Sequence, residues 1–397
     1  MNISNKEGRP HPRGGGEYVR AFAALATLAL TVACGSPSAF AQNAYITNRN
    51  SANVSVIDTA TNTVIATVPV GNGPFGVAVA PDGSKAYITN VVSNSVSAID
   101  TGTNTVLATI PVGSEPIGVA VTPDGSKVYV ANDASASVSV IATATNTVIA
   151  TIVVGSPGAP NPLAVTVTPD GSKVYLSAGR PASPNYVYVI STATDSVIGT
   201  ILNGFDSNPY ALVITPDGDT VYVVNANFGN VAVIDTATST VIGTIPVGST
   251  PIGAAVTPDG SKLYVANNSS NTVSVIDIAT NTVMATIASS GNPYGVAITP
   301  DGSKVYVANS TTNQVSVIDT ATNTVLGAIP VGATPLAFGI FIQPTPAFAG
   351  IPGDKNCHGK SVSALADKYG SLNAAAAAFG FAKVQGLQDA IRAYCRG

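Results

Sequence analysis

The sequence is poor in the residues on which most enzyme chemistry and cofactor binding depend. Its 397 residues include no tryptophan, three cysteines, two histidines and two methionines, and only 10% of them are charged. His11 lies in the N-terminal segment described next, which leaves His358 as the one histidine beyond it. No His/Cys/carboxylate cluster at metal-ligand spacing and no Ser/His/Asp set is present in the sequence pattern. We therefore predict no metal site and no cofactor.

The N-terminus has the pattern of a secretory leader. Three arginines precede an uncharged apolar run at 21–33, namely Arg9, Arg13 and Arg20. Ala39 and Ala41 then supply small residues at the two positions that a signal peptidase reads, so we predict a signal peptide at 1–41. The apolar run is too short to cross a bilayer as a stable helix, and we predict no membrane span.

A lipoprotein anchored through Cys34 is the alternative to a cleaved leader. Thr31 stands where lipoprotein signals usually have Leu, Val or Ile, which weakens that alternative. We expect a periplasmic, secreted or cell-surface protein. Removal of the leader leaves Cys357 and Cys395, and two cysteines in an oxidising compartment predict one disulfide. Closing that loop would stabilise the fold by about 4 kcal/mol in the chain-entropy model.

What the sequence has in abundance is repetition. The stretch "TPDGSKVYVAN" at 122–132 returns with small changes at 80–90, 257–267 and 299–309. Pro-Asp-Gly recurs six times, at intervals of 42, 46, 47, 42 and 42 residues. A tyrosine with the same spacing recurs seven times, at Tyr45, Tyr87, Tyr129, Tyr175, Tyr222, Tyr264 and Tyr306. A period in the forties indicates a solenoid, an array or a propeller.

Each repeat reads as four short β-strands separated by turns rich in Asp, Asn, Gly and Thr, which is typical of a propeller blade. Prolines in the fourth segment predict that this strand is the outer edge of its blade, at Pro69, Pro111, Pro246 and Pro330. The repeats begin at Ala44 with a second strand and end at 336–343 with a first strand. Joining these ends in one sheet predicts an all-β, seven-bladed β-propeller of four-stranded blades over 44–344.

The repeats "YVAN" at 129–132, 264–267 and 306–309, with "VSVIDTATNTV" at 54–64, resemble the YVTN family of bacterial and archaeal β-propellers. The resemblance covers about 44–344 and implies the propeller fold. Its functional implications are broad, because the family includes cell-surface layer proteins and periplasmic propellers that bind single-stranded DNA. Related seven-bladed propellers include a streptogramin lyase and quinone-dependent dehydrogenases.

The missing residues weigh against the catalytic relatives. A lyase similar to the streptogramin enzyme needs a propeller histidine as its base, and the dehydrogenases use tryptophans, whereas 44–344 contains neither. The same segment has seven Lys or Arg against sixteen Asp or Glu, a net charge of −9 that is unfavourable for phosphate binding. We predict a non-enzymatic, monomeric binding scaffold for a protein, a glycan or a small polar ligand. A lyase or hydrolase using loops of blades 3–5, and a single-stranded nucleic acid binder, remain alternatives.

The loops from each fourth strand to the next first strand place a proline between a polar and an apolar residue. In a propeller these loops share one face with the loops between second and third strands. The positions after the prolines predict an apolar ring that either plugs the channel or binds a ligand: Phe75, Ile117, Leu163, Tyr210, Ile252, Tyr294 and Leu336. The positions before them predict a polar ring: Gly73, Glu115, Asn161, Asn208, Thr250, Asn292 and Thr334.

Three longer loops fall on this same face in adjacent blades, at 155–162, 178–186 and 203–209. Insertions on one face of a repeat protein often mark its binding side, although exposed loops also vary without function. We predict that this sector contacts the ligand through Glu115, Asn161, Arg180, Tyr186, Asp206, Asn208, Tyr210 and Tyr294.

The C-terminal residues differ in pattern from the repeats. A Pro/Gly/Ala linker at 345–353 precedes helical patterns at 361–368, 372–379 and 383–396. We predict a small α-helical module at 354–397, held by a Cys357–Cys395 disulfide because a unit of this size needs a covalent constraint. Its net charge of +3 beside the acidic propeller predicts docking on the propeller or contact with a surface polymer.

Overall fold

The computed structural model of the chain describes residues 42–154, 161–179, 184–205, 207–344, 361–362, 372–373 and 383–396. The leader at 1–41 with its cleavage site, the anchor alternative Cys34 and the linker at 345–353 lie outside these residues. So does Cys357, and the side chain of Cys395 is not described either, so their disulfide stays a prediction. Residues 361–362 and 372–373 are helical, and one longer helix, α1 (Val384–Arg396), follows the third predicted helical pattern.

The described strands form seven antiparallel sheets, and each sheet is one blade. Blade 1 has three regular strands and a closing segment, and blades 2–7 have four strands each. The strands are β1 (Asn43–Asn48), β2 (Asn53–Asp58) and β3 (Thr63–Pro69) in blade 1; β4 (Pro74–Val79), β5 (Lys85–Asn90), β6 (Ser95–Asp100) and β7 (Thr105–Pro111) in blade 2; β8 (Pro116–Val121), β9 (Lys127–Asn132), β10 (Ser137–Ala142) and β11 (Thr147–Val153) in blade 3; β12 (Asn161–Val167), β13 (Lys173–Gly179), β14 (Pro184–Ser191) and β15 (Ser196–Phe205) in blade 4; β16 (Pro209–Ile214), β17 (Thr220–Asn225), β18 (Asn230–Asp235) and β19 (Thr240–Pro246) in blade 5; β20 (Pro251–Val256), β21 (Lys262–Asn267), β22 (Thr272–Asp277) and β23 (Thr282–Ala288) in blade 6; and β24 (Pro293–Ile298), β25 (Lys304–Asn309), β26 (Gln314–Asp319) and β27 (Thr324–Pro330) in blade 7.

The burial of side chains differs between the four strands of a blade. The first strands, such as β4 and β8, contact each other around the channel, and the second and third strands are buried on both faces. The fourth strands are mostly exposed, and four of them contain the edge prolines predicted from the sequence. Proline lacks a donor for the ladder, so its place on the outer edge costs no hydrogen bond.

The two ends of the propeller meet in blade 1, as predicted. The backbone N–H of Tyr45 donates to the carbonyl of Phe341 at 2.8 Å, and the N–H of Gln343 donates to the carbonyl of Asn43 at 2.9 Å. Farther along, the N–H of Leu336 donates to the carbonyl of Thr47 at 3.0 Å. The seven-bladed, four-stranded propeller is therefore confirmed.

The closing segment, residues 336–343, is bulged rather than regular. Residues 337–340 leave β1 and run parallel to β4 of blade 2, where the N–H groups of Val77 and Val79 donate to the carbonyls of Phe338 and Ile340 at 2.9 and 3.0 Å. The bulge needs Gly339, which has φ +117° and whose added Cβ would lie 2.5 Å from the Val77 carbonyl oxygen.

The seven recurrent tyrosines are buried and connect neighbouring blades. Four of their hydroxyls donate to an asparagine in the turn between third and fourth strands of the next blade: Tyr45 to Asn104, Tyr222 to Asn281, Tyr264 to Asn323 and Tyr306 to Asn62. In blade 3, Tyr129 donates instead to the carboxylate of Asp195. These five bonds hold blades 1, 3, 5, 6 and 7 against their successors, whereas the buried hydroxyls of Tyr87 and Tyr175 in blades 2 and 4 have no hydrogen-bond partner among the described residues. The tyrosines are therefore structural residues.

We predict that Gly339→Ala destabilises the ring closure. The substitution adds strain at a positive φ and a contact with the Val77 carbonyl, so the free energy of unfolding should fall by about 1–3 kcal/mol. Gly327→Ala is the matched control, because its added Cβ would meet no atom within 4 Å. Urea unfolding of both variants checks this, and equal effects would contradict it.

We also predict alkaline unfolding driven by the tyrosines. Burial raises the pKa of Tyr222 and Tyr264 to about 12, and it also raises the pKa of the other five recurrent tyrosines. The tyrosines lose their protons at lower pH in the unfolded state than in the folded state. Their contribution to the free energy of unfolding is therefore fully present below the ordinary pKa of 10.0 and falls as the pH rises from there through 12.

Urea unfolding at increasing pH measures this loss. Tyr264→Phe should cost about 1 kcal/mol at neutral pH, because the hydroxyl bond to Asn323 disappears, and should make the alkaline decline shallower. A free energy of unfolding that stays constant to pH 12 would contradict the assignment.

Candidate functional site

The two ends of the propeller differ in what they carry. The loop face is the end with the fourth-to-first loops and the second-to-third loops, and the turn face is the end with the Pro-Asp-Gly turns. The two kinds of loop are joined on the loop face by main-chain bonds in several blades. The N–H of Asp133 donates to the carbonyl of Glu115, and that of Ala226 to the carbonyl of Asn208, both at 3.0 Å.

Six of the seven residues of the predicted polar ring are held in the left-handed region of backbone conformation. Glu115 has φ 53° and Asn208 has φ 48°, and Gly73, Thr250, Asn292 and Thr334 also have positive φ. The N–H of Glu115 donates to the side-chain oxygen of Asn94 at 2.9 Å. Gly and Asn therefore recur here for a backbone reason, whereas a glutamate at this φ is unusual and leaves an exposed carboxylate at the mouth.

The residues of the predicted apolar ring converge on the channel axis and fill it. All of them are buried except Tyr210, which is half-buried, and Phe338 of the closing segment lies among them. The Phe338 ring is 5.9 Å from Phe75, 6.0 Å from Tyr210 and 6.4 Å from Tyr294 between centroids, all in edge-on geometry. These four aromatic rings form a plug across the channel at its loop-face end, which is the packing alternative considered for this ring.

Two of the predicted site residues touch each other in this plug. The hydroxyls of Tyr210 and Tyr294 form a hydrogen bond of 2.5 Å. Burial raises the pKa of both phenols, and the charge of Arg49 opposes that shift in each case. Asp133 acts in the other direction on Tyr210. Arg49 and Asp133 therefore act on these phenols with opposite sign, and both effects are smaller than that of burial.

The remaining predicted residues are more scattered. Asn161 is half-buried at the beginning of the first strand of blade 4, and Tyr186 is half-buried on the third strand, where its ring lies 6.1 Å from that of Tyr188. Tyr186 is therefore two strands farther from the channel axis than Asn161. Arg180 and Asp206, with parts of the three longer loops, lie outside the described residues. A ligand-binding role for the eight residues stays a prediction.

Beyond the plug, the channel contains a cavity of about 510 Å³ that extends toward the turn face. Phe338 lines its inner end, and turn prolines such as Pro81 and Pro216 line its outer end. Most of its wall is small and aliphatic, and no residue among those that line it has an ionisable side chain. Neither Tyr210 nor Tyr294 is among the lining residues, so the plug separates this cavity from the loop face.

Within the described parts of the chain, no three His, Cys, Asp or Glu residues are grouped so that they could bind a metal ion. The helices among those residues are all too short or too polar to cross a membrane. The described lining of the cavity and the described loop face also contain no histidine that could act as a general base.

Three residues of the site were missed by the sequence reasoning. Arg49 and Asp133 each follow the recurrent asparagine of the second strand, and aligning that position across the repeats would have brought them to the same face. Phe338 had no such signal. It occupies the axis because residues 337–340 are bulged, and the bulge has no counterpart in the other blades.

The protein is a seven-bladed β-propeller, and comparisons with known proteins agree. Residues 245–343 match the sequence profile of the YNCE-like beta-propeller family. This match and the seven blades confirm the predicted resemblance to YVTN-type repeats. No curated protein matches the sequence.

Solved structures resemble most of the chain. One is a chain of the Kuenenia stuttgartiensis hydrazine synthase, which is 25% identical with a TM-score of 0.66 and covers 74% of this chain and 99% of its own length. Another is a functionally unknown protein from Desulfotomaculum acetoxidans, 16% identical with a TM-score of 0.63, covering 75% of this chain and 99% of its own. The second likeness shows the fold alone.

We predict that the two plug tyrosines are coupled. Tyr210→Phe leaves the Tyr294 hydroxyl buried without its phenol partner, so it should cost about 1–3 kcal/mol of unfolding free energy. The double variant with Tyr294→Phe should cost less than the sum of the two single variants, with a coupling of about 1 kcal/mol. A double-mutant cycle by urea unfolding measures this term. Additive single effects would contradict a shared hydrogen bond.

Proposed function

We propose that the protein is an exported, non-enzymatic scaffold that binds a neutral, hydroxyl-rich ligand such as a glycan on its loop face. The observation that carries the proposal is the chemistry of that face. Among its described residues the charged side chains are Arg49, Glu115 and Asp133, and the other polar ones are almost all Asn, Ser and Thr. Tyr210 is half-buried at the centre of the same face.

This composition favours a neutral ligand over an ionic one. Amide and hydroxyl side chains both donate and accept, so they match the hydroxyl groups of a sugar, and a tyrosine ring can pack against its apolar face. Polar groups on this face already bond to each other: Ser269 donates to Thr250 at 2.9 Å, and Asn50 donates to Thr334 at 2.8 Å. Such a network offers preorganised partners without the cost of desolvating a charge.

Charge and composition also argue against the alternatives. A nucleic acid would need a basic surface, and Arg49 is the one basic residue of the described loop face, beside two acidic ones. An enzyme similar to the related lyases would need a general base, for which the described residues of this face supply only the carboxylates of Glu115 and Asp133. The likeness to a hydrazine synthase chain supports the fold and leaves binding as our proposal for function.

Export is part of the proposal and rests on the predicted leader at 1–41. A periplasmic or cell-surface location would bring the protein to cell-envelope and extracellular glycans. We further propose that the sector of blades 3–5 makes the contact, since the three longer loops fall there.

Screening the mature protein on glycan, peptidoglycan and oligonucleotide arrays tests the ligand class. We expect binding to neutral glycans and none to oligonucleotides. Asn208→Gly, in the proposed sector, should weaken glycan affinity at least tenfold because it removes an amide while glycine retains the positive φ. Asn292→Gly, the equivalent change in blade 7, is the matched control and should leave affinity unchanged.

Shortening the loops at 155–162, 178–186 and 203–209 to the length of the other blades should abolish binding. Titration calorimetry with the best array ligand measures each affinity. Binding to oligonucleotides alone, or full affinity after the loops are shortened, would contradict the proposal.

A further inference from the structure

The cavity on the turn-face side of the plug has a wall made of strand edges. Each first strand pairs with its second strand on one side, and its other edge faces the channel. In blade 2 the register pairs Val77 with Ile88, and the Val77 N–H points away from that partner, toward the channel. The same register places Val119, Val165, Leu212, Ala254 and Val296 at the position of Val77.

The protein already adds a strand to one of these edges. Residues 338–340 of the closing segment run parallel to β4 inside the channel and accept from the N–H groups of Val77 and Val79. Phe338 also donates its own N–H to the carbonyl of Phe75 at 3.3 Å. The inner edge of a blade is therefore geometrically able to pair with an extended chain inside the ring.

The equivalent edges of the other blades have no such partner among the described residues. No backbone bond to another segment is formed there by Val119, Val165, Leu212, Ala254 or Val296. The N–H and C=O groups on these edges point into the channel and line the cavity. The side chains that line it are almost entirely apolar, with Thr166 as a polar exception. A ligand that suits both features needs regularly spaced main-chain donors and acceptors together with aliphatic side chains.

The size of the cavity and the charge of its rim further restrict the class of ligand that it can bind. The lining part of β8 runs from Gly118 to Val121, so an extended chain beside it would span about four residues, or roughly 13 Å. Ile340 contributes a large aliphatic side chain that is 68% exposed. Aspartates directly follow the prolines at the mouth, and a hydrogen bond from a neighbouring threonine lowers the pKa of Asp124 and Asp217. A rim that is negative at neutral pH disfavours acidic ligands.

We propose that this channel is a second binding site, which takes an extended, uncharged, aliphatic peptide segment of about four residues from the turn face. The segment adds as a strand to an inner blade edge, in the way that residues 338–340 add to β4. Phe338 closes the inner end, so entry is from the turn face alone. The site is independent of the loop-face function, because the plug lies between them.

The test uses the full mature chain and a capped tetrapeptide, acetyl-Val-Ala-Val-Ala-amide, as the probe. Its matched control is the same peptide with N-methylated amides, which keeps the side chains but removes the donors needed for strand pairing. Titration calorimetry should show saturable binding of the probe, and the N-methylated peptide should bind at least tenfold more weakly. Absence of binding, or equal binding of both peptides, would overturn the proposal.

Protein variants locate the site. Ala255 lines the cavity, so Ala255→Phe should obstruct it and weaken peptide binding at least tenfold. Ala279→Phe adds the same group at an exposed turn of the same blade and should leave binding unchanged. Equal binding by wild type and Ala255→Phe would overturn the proposed location. If Ala255→Phe fails to fold, the comparison of the two peptides on the unmodified chain still decides the question.

Discussion

The structure depends on the main-chain pairing that joins residues 336–343 to β1. A propeller made from one chain must bring its two ends together to complete the ring. Here the ends are joined by antiparallel hydrogen bonding between Tyr45 and Phe341 and between Asn43 and Gln343. The ring is also tight at its centre. A Cβ added at Gly253 would lie 2.0 Å from the Tyr294 carbonyl oxygen, and one added at Gly295 would lie 2.0 Å from that of Ala337. Because the closed ring leaves no space for a side chain at these positions, the first strands carry small residues there.

The same closure creates the boundary between the two candidate sites. Because residues 337–340 are displaced from β1, Phe338 is carried to the axis and packs against Phe75, Tyr210 and Tyr294. The channel is blocked at that level, with a tyrosine pair toward the loop face and an aliphatic cavity toward the turn face. One irregular segment thus turns a channel with two mouths into two separate environments, one polar and one apolar.

The sequence predicted the repeated features well and the single ones poorly. A pattern that is present in several copies predicts the blade number, the strand order, the edge prolines and the joined ends. Because the copies can be compared with one another, an error in reading one of them is easily recognised. The apolar ring could be located in the same way, including Tyr210 and Tyr294. The hydrogen bond between these two, across blades 5 and 7, depends on the width of the closed ring, which no local pattern encodes. Phe338 and Gly339 occur once, and their role depends on a bulge.

The two faces also differ in the kinds of bond that hold their turns and loops. On the turn face, Lys127 bonds to Asp195 at 2.8 Å and to the Thr192 carbonyl, and Lys262 bonds to the Thr320 carbonyl of the next blade. Turn aspartates such as Asp170 accept from a threonine and a serine in their own turn. Those charges are needed to hold turns and blades, so changing them costs stability. On the loop face, the loops are joined by main-chain bonds, such as that from the Asp133 N–H to the Glu115 carbonyl, and by amide and hydroxyl side chains, such as that of Asn94, which accepts from the Glu115 N–H. Those loop-face side chains that hold no loop in place can vary with less cost to the fold, and at these positions the face can adapt to a ligand.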